Sequence, residues 1–390
     1  MKILWLCSWY PHASDKFDGD FIERQAKAIA LHQQIEVIHI VQNTNLLQTE
    51  IKRTEKYESK NLRQTIVYVP YLKTPFEKLS KLIFNYRYTK ALHTELAHYI
   101  QKNGLPDLVH VHVPVKAGVG ALWLKRKFNV PFVVTEHANV YHTTDKENFS
   151  TNSPYFRSIT TKTVAQASVL ISVSKFLGDA INNIVCKREY TIIPNVVDTD
   201  VFYYVKSKPA NDQFRFLHVS NLYPIKNPKL MIEAIALYLS NNNNAEFIFI
   251  GNKDNYLQKE VEKLQIATEN IKFLGEIPYK EVAVEMQQAN AFFLFSKSET
   301  FSCVTAEALC CGLPVIATNV GALPELVTSE NGILVDPENI ESLANAFSEV
   351  QKNIMQYDGE KISKQAAAKF NYEIIASKII AVYKNVLAIS

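Results

Sequence analysis

Residues 291–318 predict a strand, a polar turn, a helix and a second strand in direct succession. The apolar run 291–295 is typical of a buried strand, and it ends at a polar turn at 296–299. The following helix is expected to stop at Gly312, because glycine most readily adopts the left-handed conformation found after a helix C-terminus. A proline two residues later prevents continuation, and residues 315–318 form the next strand. This order of elements is that of an α/β domain.

The start of that helix suits an anionic ligand. It is expected near Phe301 or Ser302, where unpaired N–H groups and the positive end of the helix dipole point the same way. Glu299 lies just outside this start, and Glu307 lies inside the helix, too deep to cap it. An isolated pair of glutamates in such places more often complements the dipole and faces solvent. The residues around the pair must therefore distinguish a ligand site from an ordinary helix surface.

Strands and helices alternate along the rest of the chain, and 390 residues are long for a single hydrophobic core. We expect a first domain at 1–206, a second at 207–371 that begins with a polar linker at 207–213, and a last helix at 372–390. Each domain should be a parallel sheet covered by helices, and ligands of such sheets bind beyond the carboxyl ends of the strands. The residues expected at those ends are Gly19, His137, Lys226, Gly251, Gly275, Glu299 and Glu307.

The composition excludes several classes of protein. Contents of 47% hydrophobic and 21% charged residues are ordinary for a soluble globular protein, and a net charge of +3 is too small for a general nucleic-acid-binding surface. The five cysteines lack the spacing of a metal site and fit a reducing compartment. Residues 2–7 predict a first strand that is too short for a signal peptide, and no apolar run of about 18 residues occurs. The sequence thus predicts a cytoplasmic protein that does not bind nucleic acid.

Residues 51–102 contain eleven basic and four acidic side chains. Within this segment, residues 76–92 predict a basic amphipathic helix. Such a helix usually packs on a sheet with its charges in water. The alternative is peripheral contact with anionic lipid on the inner face of the plasma membrane, where each cation contributes about 1 kcal/mol.

Two further loops carry candidate ligand-binding residues. Gly19 precedes a helix that is expected to open at Asp20 with Glu23 as a capping box, and it allows either a sharp turn or the close approach of a ligand. His137 follows a predicted strand at 131–135 and is a candidate hydrogen-bond donor at the strand tip.

Two more histidines, His110 and His112, share one face of an earlier predicted strand. Metal binding by this pair is one interpretation. Histidines with hydrogen-bond partners near a strand end are the more common case, and we expect that here.

The residues that follow Glu299 complete a longer pattern. Glu299 and Glu307 are separated by seven residues and are followed by Gly312-Leu313-Pro314-Val315 and by Gly321-Ala322-Leu323-Pro324-Glu325. In this combination the chain resembles the retaining glycosyltransferases of family 4, which include glycogen synthase-like and phosphatidylinositol mannosyltransferase-like enzymes. The resemblance implies the GT-B fold, in which two facing Rossmann-like domains enclose a cleft and a C-terminal helix crosses back to the first domain. It also implies that the first domain binds the acceptor and the second binds the nucleotide sugar.

The resemblance further implies roles for the residues at the strand ends. Glu307 would hold the ribose, and Glu299 would orient the donor sugar. Lys226 would stabilise the leaving diphosphate, an electrostatic role like that of an oxyanion hole, and His137 would contact the transferred sugar. The other expected donor contacts are backbone groups, at Phe301, Ser302 and Cys303 in the helix start, at Gly19 beside the phosphates, and at Gly251 and Ile277 beside the base.

The chain departs from the family pattern on both sides of Lys226. Asn221 stands where arginine is usual, and Asn227 stands where glycine is usual. A neutral amide lacks the charge-assisted fork that arginine offers to a phosphate. Either Lys226 and the helix dipoles suffice, or another cation moves in, for which Lys297 is the candidate.

The reaction implied by the resemblance is transfer of a sugar from a UDP- or GDP-sugar to a saccharide or lipid-linked acceptor, with retention of configuration, in cell-surface polysaccharide synthesis. No cofactor and no metal are expected, because protein groups meet the charge of the leaving group. Asp18-Gly19-Asp20 and Asp198-Thr199-Asp200 spell the metal-binding pattern of the other large glycosyltransferase fold. Neither follows a strand in the expected context, and we reject both as metal sites.

Two alternatives stay open. A nucleotide-sugar epimerase of the same architecture would convert the donor with no acceptor present. A catalytically silent nucleotide-sugar-binding subunit is the other, and the neutral Asn221 keeps that alternative open. A dehydrogenase is disfavoured because its phosphate loop needs Gly-x-Gly-x-x-Gly after the first strand, whereas Trp123 occupies the third place after Gly118-x-Gly120.

Overall fold

The computed structural model describes residues 1–43, 50–141, 148–206, 213–242, 244–252 and 255–389. The chain divides into two compact units, Met1–Asn195 together with Ile375–Ser390, and Val196–Ile374. The second unit therefore begins before the expected boundary at 206. Packing explains this, because the Val197 N–H donates to the Phe370 carbonyl at 2.8 Å and the Phe202 ring lies 4.8 Å from that of Tyr279. The predicted linker at 207–213 lies outside the described residues except for its last position.

The first unit contains an eight-stranded sheet in the order β3-β4-β2-β1-β5-β6-β7-β8. Its strands are β1 (Ile3–Cys7), β2 (Ile35–Asn43), β3 (Lys52–Ser59), β4 (Leu62–Pro70), β5 (Leu108–His112), β6 (Phe132–Glu136), β7 (Val169–Ser172) and β8 (Tyr190–Ile192). All neighbouring strands pair in parallel except β3 and β4, which are antiparallel. The central strands β1 and β5 are buried along their whole length, as expected for a parallel sheet that is covered on both faces.

Five helices of this unit follow its strands. They are α1 (Asp20–Ala30), α2 (Glu77–Asn103), α3 (Pro114–Phe128), α4 (Pro154–Gln166) and α5 (Lys175–Ile184). Helix α2 contains the predicted basic helix and buries Phe84, Tyr88 and Leu96. The edge strand β3 was not predicted, because its sequence is almost entirely charged or polar and exposed. Charged side chains are a common protection of a sheet edge.

The second unit contains a six-stranded parallel sheet in the order β11-β10-β9-β12-β13-β14. Its strands are β9 (Phe214–Val219), β10 (Ala245–Ile250), β11 (Ile271–Gly275), β12 (Ala291–Leu294), β13 (Val315–Thr318) and β14 (Gly332–Val335). Its helices are α6 (Pro228–Leu239), α7 (Asn255–Lys263), α8 (Tyr279–Gln288), α9 (Cys303–Cys310), α10 (Leu323–Leu326), α11 (Ile340–Lys352) and α12 (Gly359–Phe370). Aromatic side chains dominate the core, where Phe216, Phe247 and Phe347 are fully buried and in mutual ring contact.

The last helix, α13 (Tyr372–Ile389), belongs to the first unit from Ile375 onward. Its Tyr383 is buried, and the phenol hydroxyl accepts a hydrogen bond from the indole N–H of Trp5 in β1 at 3.1 Å. The return of this helix and the α/β class with two parallel-sheet domains are confirmed. Within the described parts of the chain, no helix combines the length and the hydropathy that crossing a membrane requires.

Helix α9 ends as the sequence predicts. Gly312 has a left-handed backbone (φ 76°), and its N–H donates to the Leu309 carbonyl at 2.9 Å. The next amide, that of Leu313, donates to the Ala308 carbonyl at 3.0 Å. These two bonds form a Schellman motif, which satisfies carbonyls at the helix end.

Candidate active site

The carboxyl ends of the neighbouring strands β9 and β12 bring Lys226 and Glu299 together. The Lys226 Nζ atom lies 2.5 Å from Glu299 Oε1, and the two side chains are only 17% and 10% exposed. Ser296 donates its hydroxyl to the same carboxylate oxygen at 2.7 Å. An anionic ligand at this point would compete with Glu299 for the lysine, because a buried ammonium strongly favours a charged acceptor.

Asn227 explains one of the two departures from the family pattern. Its backbone is left-handed (φ 52°, ψ 45°), which is the conformation that glycine adopts most easily and asparagine tolerates. Its side-chain amide donates to the Phe295 carbonyl at 3.2 Å and so ties the Lys226 loop to the end of β12. Asparagine therefore preserves the backbone that glycine would give.

Glu299 is fixed through its backbone by the turn at 321–325. The Ala322 N–H donates to the Glu299 carbonyl at 2.9 Å. Gly321 has a left-handed backbone (φ 59°), and a Cβ atom there would lie 2.2 Å from the same carbonyl oxygen. Any larger residue at 321 would displace Glu299, so this part of the sequence pattern has a steric cause.

Glu307 is buried inside the second unit rather than solvated on a helix surface. It is 3% exposed, and the hydroxyl of Tyr279 in α8 donates to its Oε1 atom at 3.0 Å. Burying a carboxylate is unfavourable unless polar groups surround it. The position therefore favours a functional carboxylate over an ordinary helix residue.

Helix α9 begins one residue after Ser302, the later of the two expected starts. Ser302 precedes the helix with a left-handed backbone (φ 74°), an uncommon conformation for a residue with a side chain, and its hydroxyl lies 2.8 Å from that of Thr305. Cys303 is the first helical residue. The Phe301 ring is buried 5.6 Å from the Phe370 ring, so a donor contact at Phe301 is available only to its backbone.

The other expected donor residues lie at strand ends of the same sheet. Gly251 follows β10, and a Cβ atom there would lie 1.6 Å from the Ser220 carbonyl oxygen, so glycine is required sterically. Asn221 is exposed and accepts a hydrogen bond from the Tyr223 N–H at 3.3 Å. Ile277 is half-buried just after β11.

Lys297 lies in the turn before Glu299, but its ammonium group points to another acid. Its Nζ atom is 2.9 Å from Glu338 Oε1, and both side chains are about half exposed. Its backbone joins the Lys226 loop through an N–H bond to the Ile225 carbonyl at 2.8 Å. That Lys297 binds a phosphate as a second cation stays a prediction. It requires the ammonium group to leave Glu338 and bind the phosphate instead.

His137 lies at the tip of β6 in the first unit and is buried. Its Nε2 atom is 3.3 Å from Nδ1 of His112, and its ring lies 4.9 Å from that of Phe21. Burial lowers the pKa of His137 to about 3, although a hydrogen bond with Asn195 acts in the opposite direction. The imidazole is therefore neutral at physiological pH and offers hydrogen bonds but no positive charge.

The neighbours of His137 were not identified from the sequence as parts of a site. Glu136 accepts the backbone N–H groups of His137 and Ala138 at 2.8 and 2.9 Å, and it also accepts the Tyr141 hydroxyl. Burial raises the pKa of Glu136 to about 7. Its place at the end of β6 is the one signal that could have indicated this anchoring role.

His110 is the hydrogen-bonded core histidine that we expected. Its Nδ1 atom lies 2.6 Å from the Tyr383 hydroxyl, and its Nε2 atom lies 2.7 Å from the Thr135 hydroxyl. Both ring nitrogens are occupied, so His110 is not available as a metal ligand.

The loop before α1 places Gly19 against the protein backbone. Gly19 is left-handed (φ 62°), and a Cβ atom there would lie 2.7 Å from the carbonyl carbon of Trp9. The predicted capping box is wrong, because Gly19, which has no side chain, occupies the N-cap position and Asp20 is the first helical residue. Asp20 instead accepts a hydrogen bond from Arg24 at 2.5 Å, and Glu23 pairs with Lys27 at 3.0 Å.

A cavity of about 350 Å³ adjoins the His137 strand tip in the first unit. It begins beside Glu136 at the carboxyl ends of β5 and β6. Its wall combines apolar and aromatic side chains with amides, among them Trp9, Val113, Asn139, Tyr141, Asn152 and Phe156. Such a lining suits a ligand with both apolar and hydroxyl-bearing surfaces.

Comparison with protein families gives two adjoining matches. Residues 28–201 match the model described as Glycosyltransferase Family 4, and residues 203–368 match the model described as Glycosyl transferases group 1. The chain is 28% identical to the uncharacterized glycosyltransferase MJ1178 of Methanocaldococcus jannaschii, with 98% of each chain covered. It is 26% identical to the putative teichuronic acid biosynthesis glycosyltransferase TuaC of Bacillus subtilis, with 98% of this chain and 95% of the relative covered.

Solved structures show the same fold. Sucrose-phosphate synthase from Thermosynechococcus elongatus superposes with a TM-score of 0.80 at 20% identity, with all of both chains covered. HepE from Anabaena, in complex with UDP and glucose, superposes with a TM-score of 0.73 at 19% identity, with 98% of this chain and 99% of HepE covered. The chain therefore has the two-domain architecture of the GT-B glycosyltransferases and belongs to the glycosyltransferases of family 4.

Proposed function

We propose that the protein transfers a sugar from a nucleotide diphosphate sugar to a saccharide or lipid-linked acceptor, with retention of the anomeric configuration. The observation that carries this proposal is the pair of Lys226 and Glu299 at adjacent strand ends, with the buried carboxylate of Glu307 on the helix that follows. A parallel sheet binds its ligands at this edge. Family membership favours transfer over epimerisation of the donor.

In this proposal the charges of the second unit bind the donor. Lys226 binds the diphosphate and stabilises the charge that develops as the sugar leaves. Glu299, released from Lys226 by the competing phosphate, accepts hydroxyl groups of the donor sugar. Glu307 accepts the ribose hydroxyls, an interaction that its bond to Tyr279 orients.

Retention then follows from departure and attack on the same face. The bond between the anomeric carbon and the phosphate oxygen breaks, and the bond to the acceptor oxygen forms on that face. The acceptor proton passes to the leaving phosphate oxygen. The neutral His137 serves as a hydrogen-bonding group for a sugar hydroxyl.

The donor base is proposed from a structural relative. HepE was crystallised with UDP and with UDP and glucose, which supports a UDP-sugar in preference to a GDP-sugar here. Thermal unfolding in the presence of UDP, GDP, ADP and NAD tests this choice. A ligand at about 100 times its dissociation constant adds about 2.7 kcal/mol to the stability of the folded protein. A shift with NAD alone would overturn the proposal.

The acceptor is proposed to enter the cavity beside Glu136. The mixed apolar and polar lining fits a saccharide on a lipid carrier, and the name of TuaC, a putative teichuronic acid biosynthesis enzyme, supports a role in cell-surface polysaccharide synthesis. Incubation with UDP-sugar alone and with added acceptor separates the remaining alternatives. An epimerase converts the donor without acceptor, and a silent subunit binds the donor without turnover.

A peripheral membrane contact is proposed for the first turns of α2. The side chains of Phe76, Leu79, Leu82 and Tyr86 are between 45% and 71% exposed, and Lys78, Lys81 and Lys90 on the same segment are also exposed. Exposed apolar groups flanked by lysines favour the surface of a membrane that contains anionic lipid.

Vesicle flotation tests this contact. The protein should float with vesicles that contain phosphatidylglycerol and not with pure phosphatidylcholine, and Leu79→Glu with Leu82→Glu should abolish flotation. Met355→Glu, at a fully exposed apolar residue of the second unit, is the matched control and should float normally. Equal flotation of all variants would contradict the proposed surface.

A further inference from the structure

Three side chains that none of the donor assignments uses converge near the end of β1. His12 and Asp18 lie in the loop between β1 and α1, and His39 lies within β2. One ligand atom from each residue lies within 4.8 Å of a ligand atom of each of the other two. The Oδ2 atom of Asp18 is 3.7 Å from Nε2 of His12 and 4.0 Å from Nε2 of His39.

His39 provides an independent indication of a ligand. The residue is 1% exposed, and its Nδ1 atom lies 2.8 Å from the Cys7 carbonyl oxygen. Since a carbonyl only accepts, Nδ1 carries the ring proton and Nε2 carries a lone pair. That Nε2 atom is buried and has no hydrogen-bond partner among the described residues. Leaving such an acceptor unpaired is unfavourable.

The hydrogen bonding of His39 is typical of a metal-ligating histidine. A ligating histidine usually donates its second ring N–H to a carbonyl or carboxylate, which fixes the tautomer and the ring orientation. His39 makes this bond to Cys7. Two imidazoles and a carboxylate are also a donor set that zinc and neighbouring divalent transition metals accept.

We propose that His12, Asp18 and His39 bind one divalent transition-metal ion, for which Zn²⁺ is the best match. The proposal does not depend on glycosyl transfer. The ion would join the loop before α1 to β2 and would stabilise the segment that ends at Gly19. This site differs from the rejected pattern at 18–20, because Asp20 is engaged by Arg24 and is not a member of the cluster.

Binding requires a small rearrangement. Tetrahedral zinc bonds of about 2.0–2.2 Å place ligand atoms about 3.3 Å apart, so the loop must draw closer to β2. A metal on His12 Nε2 also moves the ring proton to Nδ1, which ends the long bond of 3.3 Å that Nδ1 now accepts from the Ser14 N–H. The ion would compete with Lys116, whose positive charge acts on Asp18.

Metal binding by the full-length protein tests the proposal directly. After treatment with a chelator, the protein is titrated with Zn²⁺ by calorimetry, and bound metal is counted after dialysis. We expect one ion per chain, and visible d–d absorption when Co²⁺ replaces Zn²⁺. His12→Ala and Asp18→Asn should each weaken binding at least about tenfold. His98→Ala, at a histidine whose side chain is 59% exposed and outside the cluster, is the control and should bind as the parent does.

Circular dichroism confirms that each variant is folded, and Asp18→Asn preserves the size of the side chain where His12→Ala does not. Zn²⁺ should raise the melting temperature of the parent and of His98→Ala, but not of Asp18→Asn. Equal affinity in all variants would mean an adventitious ion only and would overturn the proposal. Failure of the parent to bind would also overturn it. Neither result bears on UDP binding, which is measured separately.

Discussion

The two units differ in the charge of the buried side chains at their strand ends. In the second unit, Lys226 and Glu299 form a largely buried ion pair. In the first unit, burial keeps His137 neutral, with a pKa of about 3, and also favours the protonated form of Glu136, with a pKa of about 7. The Lys226–Glu299 pair thus keeps its charges, whereas burial favours the neutral forms of His137 and Glu136.

This difference indicates a division of labour. A diphosphate needs cations, and a low-dielectric setting strengthens their effect. Sugar hydroxyls need neutral donors and acceptors at fixed positions, which a buried imidazole supplies. The comparison therefore predicts that substitutions in the second unit act on nucleotide binding, and that substitutions in the first unit act on the sugar or acceptor.

The largest effect is expected from Lys226→Ala. Loss of the cation that meets the leaving diphosphate should lower kcat by about 10²–10³-fold, the range seen when an oxyanion-stabilising group is removed. Steady-state kinetics with a UDP-sugar would measure it. Lys229→Ala removes a neighbouring, half-exposed lysine that pairs with Glu233, and it should change kcat little. Equal losses in both variants would mean that the effect is not specific to the ion pair.

Glu307→Gln should weaken UDP binding by about tenfold to a hundredfold, because a hydrogen bond to a charged group contributes about 1.5–3 kcal/mol. Calorimetric titration with UDP measures this loss. Tyr279→Phe removes the hydroxyl that orients Glu307 and should have a smaller effect in the same direction. The exposed Glu341→Gln is the control. Unchanged affinity in Glu307→Gln would contradict the ribose assignment.

His137 should make folding stability depend on pH. Its folded pKa of about 3 is below its ordinary value of 6.5, so the unfolded chain binds this proton first as pH falls. Stability is therefore fully present above pH 6.5 and is lost progressively between 6.5 and 3, by about 1.4 kcal/mol per pH unit for one group. Urea unfolding at a series of pH values measures how steeply the free energy of unfolding changes with pH. In His137→Gln this slope should be smaller than in the parent by that amount. A slope equal to that of the parent would show that His137 is not held neutral.

Asn221→Arg should give the smallest of these changes and the only gain. An arginine supplies the charge-assisted fork that the family resemblance implies here, and UDP affinity should rise by up to about tenfold, since such bonds contribute about 1.5–3 kcal/mol before ordering costs. Lys297→Ala tests whether Lys297 acts as a second phosphate-binding cation in place of the missing arginine. It should weaken UDP binding if Lys297 leaves Glu338 for the phosphate, and it should have no effect if Lys226 and the helix dipoles suffice.

Local sequence signals predicted the parts of the fold that depend on local structure. The end of α9 at Gly312 follows from backbone conformation alone. The predicted capping box at the start of α1 was wrong because Gly19, and not Asp20, occupies the N-cap position. Strand β3 was not predicted, because an exposed edge strand has no buried face and its sequence therefore need not alternate apolar and polar residues.

The candidate site was predictable in position but not in its contacts. Topology placed Lys226 and Glu299 at strand ends, yet their mutual ion pair depends on which strands are neighbours. The bond between Tyr279 and Glu307 joins two helices and has no local signature. The same holds for Asn195, which accepts a hydrogen bond from Gln25 of α1 at 3.2 Å and also contacts His137.

Hydrogen exchange measured with and without UDP tests the central claim most directly. The account predicts that UDP slows exchange in the peptides that cover 221–227 and 296–307, with little change at β3 and the exposed start of α2. Slowed exchange confined to the first unit, or the same protection in Glu307→Gln at an equal UDP concentration below saturation, would contradict it.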